Sequence, residues 1–161
     1  MQEIPIEVVE QAWSDVFTSE SVEDFQQVLN NMQGKQPYLL PFLYAGGENF
    51  FQEDEIGELL ALGAVVWLAY EKASNGGMEV VLPQVLEELH DDSLDLLQKS
   101  DDSAIEDAAV QLATGSAQQP LLESVLAYLL EGENEIHPER QGIAFFLVKV
   151  VIDSLERSWR N

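Results

Sequence analysis

The chain has no cysteine. Disulfide scaffolds, thiol nucleophiles, cysteine zinc sites and iron–sulfur clusters are therefore excluded together. Positive charge is scarce too: 7 Lys plus Arg stand against 30 Asp plus Glu, a formal net charge of −23 over 161 residues. Such a chain repels nucleic-acid phosphates and anionic lipid, so direct nucleic-acid binding is not expected. Long apolar runs are missing as well. Leu59 to Trp67 lies between Glu58 and Lys72, and Ile143 to Ile152 contains Lys149. Neither reaches the roughly 18 uninterrupted apolar residues of a membrane span, so no membrane association is expected. Met1-Gln2-Glu3-Ile4-Pro5 is neither basic nor followed by an apolar leader, which makes the cytoplasm the expected location.

What is present is a foldable composition. With 46% hydrophobic and 9% aromatic residues, the chain is too apolar for a disordered segment and the right length for a single domain. Helical spacing runs nearly throughout. Ile6, Val9, Trp13, Val16 and Phe17 recur at intervals of three and four behind Pro5, predicting a helix over about 5–17. Phe25, Val28, Leu29 and Met32 predict a second over about 21–33, closed by Gly34. Pro37 opens a third, which Pro41 should strain or shorten before Gly46-Gly47 ends it. A fourth runs from about Gln52 through Tyr70 to Asn75-Gly76-Gly77. Further helices are expected over Pro83 to Lys99, Ser103 to Thr114, Pro120 to Glu131 and Pro138 to Trp159, with Met78 to Leu82 briefly extended.

The chain also resembles itself. At an offset of 83, Val22 to Leu43 and Ile105 to Leu126 share seven identities in 22 positions, among them Gln36-Pro37 with Gln119-Pro120. At an offset of 85, Gly47-Glu48-Asn49 recurs as Gly132-Glu133-Asn134, and the stretch from Gly47 to Lys72 carries eight identities in 26. Loop and cap residues matter most in this comparison, because amphipathic patterning does not require them. The fold expected is all-α: a tandem duplication of a four-helix unit, about 1–77 and 78–161, packed as an intramolecular pseudo-twofold bundle within one domain. Leu62, Val66, Trp67, Leu147 and Val151 are its expected core. The two most apolar helices should meet at the axis, where Gly63 would permit close approach.

Chemistry is sparse. Glu87 and His90 have the Glu-x-x-His spacing that puts both side chains on one helix face, making them the weak candidates for a metal, but His137 has no such partner. No metal site and no cofactor are expected. His137 more simply supplies an extended turn before Pro138. The acidic pieces around Asp91-Asp92 and Asp101-Asp102 lack the glycine and terminal glutamate of a calcium loop. No phosphate-cradling glycine loop or nucleophile elbow appears. Charge is spread evenly, with 13 acids and 2 bases up to Gly77 and 17 acids and 5 bases beyond it. Glu87 to Asp107 nevertheless holds nine acids and only Lys99, while Arg140, Lys149, Arg157 and Arg160 sit near the C-terminus.

The function expected is a non-catalytic scaffold or adaptor that binds another protein in a groove between repeats. The alternatives are a helical-bundle enzyme using carboxylate and histidine chemistry, and an acidic inhibitor or nucleic-acid mimic that captures a basic protein.

Overall fold

A computed structural model describes residues 3–18, 22–48, 50–99, 118–131, 136–137 and 140–159. Seven helices lie among them: α1 (Ile6–Phe17), α2 (Val22–Lys35), α3 (Leu39–Gly47), α4 (Glu53–Ser74), α5 (Pro83–Lys99), α6 (Gln119–Glu131) and α7 (Gln141–Ser158). The described residues form no β-sheet. Met78 makes a lone antiparallel bridge with Trp159, and the Glu79 amide donates to the Ser158 carbonyl at 3.1 Å. The helix expected over Ser103 to Thr114 and the positions Asn49, Gly132, Glu133 and Asn134 fall outside the described residues.

Two boundaries differ from the sequence expectation for physical reasons. Gly34 does not close α2, which continues to Lys35, and a side chain there would meet open space. Pro41 neither strains nor shortens α3, because the helix starts at Leu39 and leaves Pro41 in the first turn, where an amide has no intrahelical acceptor to lose. At the end of α4 the expected stop holds: Asn75 and Gly76 both turn left-handed, with φ of 52° and 78°.

Packing centres on α4 and α7, which lie directly against each other. From Leu59 to Tyr70 and from Ala144 to Leu155 nearly every side chain is buried, so both helices need cover on all sides. α1 covers α4 and α5 covers α7; α3 contacts both; α2 lies on α4 and α3, and α6 on α7 and α1. Leu62, Val66, Trp67, Leu147 and Val151 are all buried. Gly63 serves a different neighbour from the one expected. A Cβ there would strike Leu43 of α3 rather than α7, so its missing side chain admits the third helix. No helix among the described residues is long and apolar enough to cross a membrane.

Four buried side chains with polar groups tie distant segments to this core. The Gln36 amide bridges the extended chain before α5, donating to the Glu79 carbonyl and accepting from the Val81 amide, both at 2.8 Å. Gln118 accepts from the Ile4 amide at 2.8 Å, ahead of α1, and donates to Glu156 Oε2 at 2.9 Å. Tyr70, fully buried, donates to the same Glu156 oxygen at 2.8 Å, and that burial beside a carboxylate raises its phenol pKa. Glu55 joins the starts of α4 and α7: it accepts from the Gln52 amide, the His137 amide and Arg140 Nε, each within 2.9 Å. Burial alone would raise its pKa, but Arg140 and the two amides hold it at about 2 against an ordinary 4.5.

Two predictions follow the core and this clamp. Leu62→Ala should cost about 2–5 kcal/mol by denaturant titration, as a core cavity does; a loss below about 1 kcal/mol would place α4 at the surface. Because the folded pKa of Glu55 is depressed, its contribution is full above the unfolded value near 4.5 and disappears as pH falls through about 2. Glu55→Gln should therefore be about 3 kcal/mol less stable than the parent at pH 6, with the gap closing between pH 4.5 and 2. A gap constant with pH would refute the ionised clamp.

Candidate functional site

Where α5 passes α3, the surface opens into a recess of about 450 Å³. Phe42, Ala45 and Gly46 line it from α3, and Glu87, His90 and Asp91 from α5. The helical spacing of Glu87 and His90 brings them onto this one face. Gly46, which also lines the recess, lets α3 lie close on α7: a Cβ there would be 2.8 Å from Leu147 Cδ2.

His90 forms a wall. Its ring meets Phe42 edge-on at 6.1 Å between centroids and tilts against Phe146 of α7 at 5.1 Å. Its Nδ1 is 3.8 Å from Asp91 Oδ1, too long for a hydrogen bond, so an attraction arises there only when the ring is protonated. Glu87 and Asp91 are exposed at the mouth, and Tyr44, about half exposed, precedes Ala45 on α3. The recess thus offers aromatic and aliphatic walls below with negative charge above.

A second contact between helices has the same components in another arrangement. Where α1 meets α6, Trp13, Phe17 and Tyr128 form a mutual aromatic cluster with centroids 5.1 to 5.4 Å apart. Trp13 Nε1 donates to Ser124 Oγ at 3.0 Å, and the Tyr128 hydroxyl bonds Glu58 of α4. This contact is filled by the chain's own rings.

The other residues singled out in the sequence are dispersed. His137 is exposed; its backbone amide, not its imidazole, is engaged by Glu55. Gln36 and Gly47 are buried, Pro37 and Pro120 half-buried, and Glu48 and Gln119 exposed. The glutamine buried like Gln36 is Gln118, one position before the residue that matched it by identity. Of the C-terminal bases, Arg140 pairs with Glu55, Lys149 with Asp153 and Arg157 with Glu88, the last on the surface; Arg160 lies outside the described residues, as do 100–107 of the acidic stretch. Spacing along the chain does not single out Ala45 or Phe146, because which helix comes to face α5 is a tertiary matter. Compared with known proteins, the chain matches no family model, no curated protein and no solved structure.

Among the described residues no three His, Asp or Glu converge as metal ligands; Glu87, His90 and Asp91 share the recess but fan across one helix face. Elemental analysis of protein purified without a histidine tag should find only trace metal, and melts with and without chelator should coincide. A near-stoichiometric metal whose removal lowers the Tm would promote Glu87 and His90 to ligands.

Proposed function

We propose that the chain is a non-catalytic binding module for another protein, built as two copies of one helical unit, about 1–77 and 78–161, related by a pseudo-twofold axis. Support for two copies comes from burial rather than identity. Ile4, Val9 and Ala12 are buried as are Val81, Leu86 and Leu89, each 77 residues later. Gln36, Leu39 and Leu43 are buried as are Gln118, Leu121 and Val125, 82 later. Phe51, Leu59, Leu62 and Val66 correspond to Ile136, Ala144, Leu147 and Val151, 85 later. The glutamine clamps also exchange between halves: Gln36 holds the chain entering α5, and Gln118 holds the chain entering α1.

The observation that carries the binding function is the recess between α3 and α5, a concave apolar surface with a charged rim. Its position between helices of opposite halves is where a pseudo-dimer offers a groove. Catalysis would need a nucleophile or a paired acid and base held in place; in the recess His90 packs between two phenylalanines, Glu87 and Asp91 stand exposed at the mouth, and the 3.8 Å from His90 to Asp91 is too long for the hydrogen bond that would pair them.

The test is affinity capture with the parent protein and with Ala45→Trp, which plants a large ring at the exposed edge of the recess. A stoichiometric protein should be retained by the parent, be lost with the variant, and stay bound between low and physiological ionic strength. Loss with salt but indifference to the variant would favour an acidic inhibitor that captures a basic partner by charge. Absence of any protein partner, with turnover of a small molecule in the recess, would overturn the proposal.

A further inference from the structure

We infer that the recess between α3 and α5 receives one aromatic side chain, a phenylalanine, from a basic segment of the partner protein. This rests on the two-copy, protein-binding reading above and deepens it. Under that correspondence α5 matches α1 at an offset of 77 and α3 matches α6 at 82. His90 then stands where Trp13 stands, Phe42 where Ser124 does, Ala45 where Ala127 does, and Gly46 where Tyr128 does. Half-buried Trp13 matches half-buried His90, and half-buried Tyr128 matches Gly46.

The filled contact therefore shows what the open one lacks. At α1 and α6 the Tyr128 ring packs 5.1 Å from both Trp13 and Phe17. At α3 and α5 the ring position is a glycine, and the aromatic wall, His90 backed by Phe42 and Phe146, faces empty space. A ring arriving there can pack against the imidazole as Tyr128, tilted by 43°, packs against the indole, and aromatic pairs gain from such contact beyond burial alone.

Two further features narrow the occupant. Tyr128 ends on Glu58, whose counterpart 85 residues later is the apolar Ile143, so under the same correspondence the arriving ring has no equivalent of that carboxylate to bond and needs no hydroxyl. At the mouth, Glu87 and Asp91 stand exposed on a chain of net charge −23, which favours basic residues flanking that ring.

Phenethylamine, a phenyl ring with one cation, serves as the probe, titrated into the full chain while amide resonances are followed. Saturable shifts should appear at Ala45, Gly46 and His90, with butylamine and tyramine each at least tenfold weaker. Ala45→Trp, which plants a large ring at the exposed edge of the recess, should abolish the response. Tyr128→Ala should create a second saturable site reported by Trp13 and Ser124. No saturable shift in the parent, or equal binding of butylamine, overturns the aromatic pocket. Binding in the parent without a second site in Tyr128→Ala overturns the correspondence from which the ring was inferred. Either result leaves capture of a protein partner, measured separately, free to stand or fall.

Discussion

Two helices with almost no polar face, packed against each other, govern this fold. An amphipathic helix can lie on a surface, whereas α4 and α7 have apolar residues around most of their circumference and must be enclosed. Each contributes one side to the other, and the remaining sides are left for α1, α3, α5 and α6 to cover. The outer helices are accordingly amphipathic, with Val9, Ala12 and Val16 facing inward on α1 and Leu86 and Leu89 on α5. Small residues set how closely the cover can approach: Gly63 receives Leu43, and Gly46 lets α3 settle on Leu147.

Enclosure by apolar contact is non-directional, so something else must fix which segment lies where. The buried polar groups do this. A glutamine side chain offers one donor and one acceptor with the spacing of a peptide group, and Gln36 uses both on Glu79 and Val81 much as a neighbouring strand would. Glu55 sets the starts of α4 and α7 beside each other through Arg140 and two amides. A slip of either segment would strand a buried amide or carboxylate, which costs far more than a slip between leucines.

The sequence makes the helices readable because 3.6-residue spacing is a local property, and it identifies Leu62 and Leu147 as interior because apolar runs have nowhere else to go. Register between the two proposed copies is harder. The adjacent pair Gln118-Gln119 lets an identity match choose Gln119, next to Pro120, while burial chooses Gln118; only the position of Ile4, over a hundred residues away, separates them. Under the proposed duplication α1 answers to α5, a correspondence that residue type would not reveal: Trp13 and His90, or Ala12 and Leu89, share a degree of burial but not a residue type. Glu87 and His90 are legible as one helix face. The recess they border is not, since it depends on which helix packs beside them, and α3 is brought there by tertiary contacts such as that of Gly46 with Leu147 of α7.

The clamp on Ile4 bears on the order in which the chain can mature. The Ile4 amide has its acceptor 114 residues further on, so during synthesis the entry to α1 waits for about three quarters of the polypeptide before that bond can close. The Gln36 clamp spans only 45 residues and can form while the second half is still emerging. The first strap to be made is thus fastened well after the Gln36 clamp. Until then its buried isoleucine and the face of α4 beneath α1 have no fixed seat, and the newborn chain depends on its charge of like sign to stay apart from its neighbours.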